Sequence, residues 1–168
     1  MNKLKRILYV ALITAVAVLL TVVVRNQFSS PSQAKPGSLI TLPGVHFPAG
    51  RKSLVLGISA TCHFCRNSLP FYKHLTAQLQ NKVKVVAVLP QPQPRAQAFV
   101  SNGGLVATQV VSHKLSAIGI VDTPTLLIVS GESNGKGRVQ STWIGELDQA
   151  RQRQLLGALL PNAPLPQR

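Results

Sequence analysis

An uncharged apolar segment near the N-terminus leaves only the rest of the chain for a globular domain. Residues 7–24 run ILYVALITAVAVLLTVVV, and a helix of this length extends roughly 27 Å, close to the thickness of a bilayer core. A cleavable signal peptide is the alternative, but its apolar core is normally shorter and ends at a small-x-small site. This run instead ends in Val-Val-Val-Arg. We therefore predict one uncleaved N-terminal transmembrane helix.

The charges around this segment predict its orientation. Lys3, Lys5 and Arg6 precede the segment, whereas Arg25 alone follows it closely. Basic residues favour the cytoplasmic side, so residues 1–6 are expected in the cytoplasm. The chain is then a single-pass protein of the cytoplasmic (inner) membrane, and its C-terminal domain is extracytoplasmic, in the periplasm where one exists.

The remaining length is enough for one domain. Residues 25–38 are polar and contain proline and glycine, as a linker does. We expect the folded domain to span residues 39–160 and a proline-rich tail to span residues 161–168. Two cysteines exclude a disulfide-dense scaffold and a four-cysteine metal site, but they can form one bridge.

The chain is strongly basic, with 18 Lys+Arg against 4 Asp+Glu and a net charge of +14. Nucleic-acid binding is not predicted, because the cations are scattered along the chain and the domain is expected outside the cytoplasm. Attraction to anionic lipid head groups or to acidic partners fits this charge better.

Apolar periodicity predicts an α/β domain with a mixed sheet. Short apolar or alternating runs predict strands at 54–59, 83–89, 126–129 and 139–144. Helical spacing or helix signals occur at 65–80, 95–100 and 112–118, and Asp148 is placed to cap a final helix. The last two strands are separated by a glycine-containing turn, which predicts that they are antiparallel.

The chemistry is expected at Cys62-His63-Phe64-Cys65, which follows a buried strand and begins a helix. The amides at a helix N-terminus favour a thiolate, so Cys62 is the expected nucleophile and Cys65 the thiol that resolves a mixed disulfide. We expect His63 to stabilise the thiolate further. Phe64 is interpreted either as a core residue or as an apolar lip beside the site.

Other uses of two cysteines are possible. A structural disulfide across two residues would add little stability. Copper(I) tolerates two thiolates and could also use a histidine, although the histidines match no common zinc spacing; they are His46, His63, His74 and His113. A copper(I)-binding, chaperone-like protein without catalysis is therefore the alternative function. Covalent haem is excluded, because Arg66 stands where Cys-x-x-Cys-His requires histidine.

A second signal is Asp122-Thr123-Pro124-Thr125, which directly precedes the apolar run LLIV. Proline is unusual at the entrance to a strand, because it cannot donate to the hydrogen-bond ladder. Together with the upstream cysteine pair, this position favours a cis peptide bond between Thr123 and Pro124.

With these pieces the sequence resembles the thioredoxin-like superfamily over residues 39–160, and within it the membrane-anchored TlpA/ResA-like members. The resemblance implies a thioredoxin-like mixed sheet flanked by helices. It also implies that Pro124 shields the disulfide and that the backbone of Thr123 holds the partner chain. The implied activity is thiol–disulfide exchange with partner proteins, with a redox regenerator and no cofactor or metal.

Three departures from that pattern stand out. Thr61 replaces the tryptophan that usually precedes the first cysteine, and His63-Phe64 matches neither common dipeptide. Leu56 occupies the position of a buried carboxylate that accepts a proton in many members, and Asp122 is the only acid expected nearby. The sequence predicts a membrane-anchored thiol–disulfide oxidoreductase and leaves the direction of transfer and the oligomeric state open.

Overall fold

The structure is a computed structural model that describes residues 11–21 and 32–160. The chain divides into two units, Met1–Ser30 and Pro31–Arg168. In the first unit, residues 11–21 are helical with exposed side chains, and the described residues include no helix with the length and apolarity needed to span a bilayer. The rest of the predicted anchor, residues 1–6, residues 25–31 of the predicted linker and the predicted tail lie outside the described residues.

The second unit contains a six-stranded mixed sheet. Its strands are β1 (Leu39–Ile40), β2 (Lys52–Gly57), β3 (Lys84–Leu89), β4 (Gln109–Ser112), β5 (Thr125–Gly131) and β6 (Gly137–Ile144). They lie in the order β1-β6-β5-β2-β3-β4. β2, β3 and β4 are parallel, whereas β5 is antiparallel to both β2 and β6. The predicted mixed α/β sheet is confirmed.

Four α-helices and one 3-10 helix accompany the sheet. They are α1 (His63–Asn67), α2 (Leu69–Leu79), α3 (Gln93–Asn102), the 3-10 helix Leu115–Ile118 and α4 (Gln149–Leu159). Asp148 caps α4 as predicted, because its carboxylate accepts the Arg151 N–H at 2.8 Å.

Two predicted helices differ from the structure. The helix expected over 65–80 is divided at Ser68, where α1 ends and α2 begins with Pro70 in its first turn. Proline has no N–H to continue a preceding helix. The helix expected over 112–118 was also wrong in part: only Leu115–Ile118 is helical, as a 3-10 turn, because Ser112 ends β4 and pairs with Leu89.

Both faces of the sheet are covered, so β2 is buried along most of its length. Leu54 and Leu56 contribute to a cluster with Cys65, Tyr72 and the helices α2 and α4. Val55, which points the other way, packs in a second cluster with residues of β1, β6 and the 3-10 helix. Apolar packing on both faces fixes the register of β2, and with it the position of the cysteine motif that follows.

Residues 32–38 belong by composition to the predicted linker, yet they contact the domain. Ala34 is buried, its N–H donates to Gly119 O at 2.6 Å, and its carbonyl accepts the Thr142 hydroxyl at 2.8 Å. Gly119 has φ +70° and lies against Ala34 so closely that an added Cβ would stand 2.9 Å from the alanine Cβ. These contacts place the described part of the segment within the folded unit.

Candidate functional site

Cys62 occupies the N-cap position of α1, just beyond the carboxyl end of β2. Its backbone is extended, with φ −79° and ψ 123°, and its sulfur accepts the Cys65 N–H at 3.2 Å. Its own N–H donates to Ser59 O at 3.2 Å. The sulfur therefore takes the place that a serine or aspartate oxygen takes at other N-caps, where backbone N–H groups stabilise negative charge.

The Thr123–Pro124 loop lies directly across from this sulfur. The peptide bond between these residues is cis, as predicted, and Cys62 Sγ lies 3.4 Å from Thr123 O. Pro124 is buried, and its carbonyl accepts the Gly145 N–H at 2.8 Å. Thr125 donates its hydroxyl to Asp122 O at 2.7 Å. The fold thus joins two motifs that are distant in sequence.

The two thiols are free and lie in different surroundings: Cys62 is half-buried and Cys65 is fully buried. Burial raises the pKa of Cys62, but hydrogen bonds with Cys65, Thr123 and the Phe64 backbone outweigh burial and lower the pKa below that of an ordinary cysteine. Burial, reinforced by the neighbouring Cys62, raises the pKa of Cys65 to about 12. The pair therefore contains one accessible, acidified thiol and one inaccessible thiol that stays protonated.

These pKa values predict selective alkylation of the reduced protein. At pH 8, about one Cys65 thiol in 10⁴ is ionised, whereas the lowered pKa of Cys62 leaves a much larger fraction of this thiol as thiolate. Higher intrinsic nucleophilicity of the less acidic thiol offsets part of this difference. We expect iodoacetamide to modify Cys62 at least about tenfold faster than Cys65, as measured by peptide mass spectrometry. Equal rates would contradict the assignment.

His63 and Phe64 are both exposed. His63 Nε2 lies 3.2 Å from Asn67 Nδ2, and its ring meets the Phe64 ring edge-on with centroids 5.8 Å apart. Phe64 is 56% exposed, which excludes the interpretation of this side chain as core. Its effect on Cys62 comes from its backbone N–H, which lowers the thiol pKa. The effect predicted for His63 on the thiolate stays a prediction.

Sequence reasoning missed a polar network beside the cysteines. Ser59 Oγ accepts Gln91 Nε2 at 2.8 Å and the Thr61 N–H at 3.3 Å, and it lies 3.0 Å from Thr61 Oγ1. Gln91 Oε1 is buried without a hydrogen-bond partner among the described residues. Their position in the sequence could have identified these residues, since Ser59 and Gln91 follow the carboxyl ends of the adjacent parallel strands β2 and β3.

A leucine, and not a carboxylate, occupies the buried position at which the sequence resemblance implies an acid in many relatives. Leu56 is fully buried in the same cluster as Cys65, and Asp122 is exposed. The described residues contain no group of three His, Cys, Asp or Glu side chains that could hold a metal ion. A copper(I) site here would therefore have to use the two thiolates without a third such ligand from the described part of the chain.

The chain was compared with known proteins. Three solved structures resemble it: a candidate thioredoxin from Neisseria meningitidis, a thiol-disulfide isomerase from Corynebacterium glutamicum and a candidate thiol:disulfide interchange protein, DsbE, from Chlorobium tepidum. Their TM-scores are 0.53, 0.54 and 0.54, at 21%, 16% and 18% identity. The matches cover 68%, 76% and 79% of this chain, and 78%, 98% and 98% of the other chains. No family model and no curated sequence matches.

Proposed function

We propose that this chain, whose fold is that of the thioredoxin-like superfamily, is a thiol–disulfide oxidoreductase acting on partner proteins. One observation carries the proposal: an acidified Cys62 sulfur at a helix N-terminus, 3.4 Å from Thr123 O, with Cys65 buried behind it. A structural disulfide would need neither a lowered pKa nor access to the first sulfur.

In the reducing direction, the Cys62 thiolate attacks a disulfide of the partner. A Cys62–partner disulfide forms, and the partner's second sulfur leaves as a thiolate. Cys65 then loses its proton and attacks Cys62 Sγ, which releases the partner's first sulfur as a second thiolate. The partner has gained two electrons and the chain holds a Cys62–Cys65 disulfide. The reverse sequence oxidises a partner dithiol, and a separate redox protein restores the starting state.

The proton of Cys65 needs an acceptor, because its pKa of about 12 keeps the thiol neutral at physiological pH. Leu56 provides no carboxylate beside it. The partner thiolate released in the first step is a suitable base, with an ordinary pKa of about 8.5, either directly or through water. The resolving step then depends on the partner remaining docked beside the Thr123 loop.

We propose that the domain works outside the cytoplasm, tethered by residues 7–24. The uncharged run and the excess of cations before it support this location, as does the usual confinement of stable disulfide chemistry to oxidising compartments. The expected partners are therefore exported proteins with cysteines.

Trapping of mixed disulfides with partner proteins tests this function. In the full chain expressed in membranes, Cys65→Ser leaves the first attack intact and removes the resolving thiol, so we expect disulfide-linked adducts that disappear on reduction. Cys62→Ser/Cys65→Ser is the matched control, because it keeps the same buried substitution without a nucleophile. Equal adduct levels in the two variants would refute the proposed exchange.

The midpoint potential distinguishes the two directions of transfer. A potential near that of thioredoxin, about −270 mV, would assign the chain to protein reduction, whereas a value near about −120 mV would assign it to protein oxidation. The measurement is equilibration of the full chain with graded redox buffers, followed by thiol labelling of Cys62.

A further inference from the structure

A basic pocket lies at the end of the sheet where the parallel strands begin, opposite the end that carries the cysteines. It encloses about 230 Å³, and four cations line it: Arg51, Lys52, Lys82 and Lys84. Lys52 begins β2 and Lys84 begins β3, whereas Cys62 follows the far end of β2. The pocket and the dithiol are thus separated by the length of the parallel strands.

The positive charge of this pocket is not neutralised by carboxylates. None of the four Asp and Glu residues, all of them described, lines it. Glu132, which follows Gly131 at the end of β5, is engaged by Arg138 at 2.7 Å. Cations that share a pocket without a counterion repel one another, so an anion entering it would find a favourable potential.

Two of the lysine ammonium groups are held in place by main-chain oxygens. Lys52 Nζ donates to Ala158 O at 2.6 Å, near the end of α4, and Lys84 Nζ donates to His46 O at 2.9 Å. A carbonyl uses one of the three ammonium hydrogens and leaves the charge in place. Lys52 also stabilises the C-terminus of α4 through its charge, but this role leaves the other hydrogens of the group available to a ligand.

Neutral donors complete the lining. Asn81 contributes an amide, and Thr108 Oγ1 accepts the Val85 N–H at 3.1 Å, so its own hydrogen remains available to an acceptor. A guanidinium fork, ammonium groups and neutral donors together match a phosphate group, whose oxygens accept several hydrogen bonds at once. We infer that this pocket binds a phosphate-bearing anion, either free phosphate or the head group of a phospholipid.

Lysine footprinting of the full chain in vesicles tests this inference. The chain is reconstituted in phosphatidylcholine with about 10 mM inorganic phosphate, or in vesicles containing phosphatidylglycerol, and acylated lysines are quantified by mass spectrometry. If phosphate is present at ten times its Kd, labelling of Lys52 and Lys82 should fall by about tenfold. Lys114, exposed beyond β4, should be unaffected at matched ionic strength.

Protection by inorganic phosphate alone would identify free phosphate as a sufficient ligand, and protection only in phosphatidylglycerol vesicles would identify the head group. Protection of Lys52 should be lost in Arg51→Gln/Lys82→Gln and retained in Arg95→Gln/Lys114→Gln, which removes the same charge elsewhere. Labelling of Lys52 that falls no more than that of Lys114 in both arms would overturn the site. Disulfide exchange should be unchanged in both variants, so failure of the pocket and failure of the redox function are distinguishable.

Discussion

Replacing Cys62 with serine is expected to lower the rate of disulfide exchange by about a thousandfold or more, because a serine hydroxyl is not ionised at neutral pH and cannot form a mixed disulfide. The half-buried N-cap position of Cys62 accommodates the smaller serine hydroxyl, and serine is a favoured N-cap residue, so the fold should persist. The assay is reduction of insulin by the full chain with dithiothreitol, with thermal unfolding measured on the same samples.

Cys65→Ser is the matched control for this loss. It retains the Cys62 nucleophile, so in a single-turnover reaction without dithiothreitol the first attack should proceed and release one equivalent of partner thiol before exchange stops. Because Cys65 is fully buried, its replacement by a hydroxyl costs stability of about 1–3 kcal/mol, and thermal unfolding measures this separately. If Cys65→Ser instead lost the first step while Cys62→Ser retained it, the roles of the two sulfurs would be reversed.

The centre of the sheet could be predicted from the sequence because its strands are apolar and β-branched. β2, β3, β5 and β6 each overlap a predicted strand. Covering on both faces explains the near-continuous hydrophobicity of β2, β3 and β5, whereas β6 alternates and is partly exposed. The cysteine pair was predictable for a different reason. Only two residues separate Cys62 from Cys65, so the two sulfurs lie close together whatever fold the rest of the chain adopts. The cis peptide bond before Pro124 was predicted by combining the cysteine pair with a proline at the entrance to an apolar strand.

The edges of the sheet were not predicted, because tertiary contacts determine them. β1 consists of Leu39 and Ile40 alone and depends on pairing with Arg138 and Gly137. β4 has a polar residue at each end and only two valines between them, so its pairing with β3 overrides a weak local preference. The interruption at Ser68 likewise depended on one proline within an otherwise helical pattern.

Side-chain networks around the site were the least predictable part. The contact between Ser59 and Gln91 joins residues 32 positions apart, and neither belongs to a motif. Adjacent parallel strands bring the residues at their carboxyl ends to the same end of the sheet. The polar residues at or just after the end of each predicted strand include both Ser59 and Gln91. Their hydrogen-bond geometry still required coordinates, because amide and hydroxyl orientations depend on local packing.

Leu56→Glu tests the consequence of an apolar residue behind the dithiol. Leu56 is fully buried and packs in the cluster that contains Cys65. An ionised carboxylate there would lose its hydration without gaining a partner for its charge. We expect a loss of about 3–5 kcal/mol in unfolding free energy at pH 8. Burial should raise the pKa of the new carboxyl above its unfolded value of about 4.3, so the penalty is smallest below that pH, grows as the pH rises from there to the folded pKa, and is constant above it.

Leu56→Gln provides the matched control, because it introduces a polar group of the same shape that does not titrate. Its destabilisation should be smaller and independent of pH between about 4 and 8, as measured by urea unfolding. A carboxyl at this position is also expected to accept the proton of Cys65, which would shift the pH profile of adduct release to lower pH in Leu56→Glu but not in Leu56→Gln. An unchanged profile in a folded Leu56→Glu protein would show that proton removal from Cys65 does not limit release, and would leave the partner thiolate as a sufficient base.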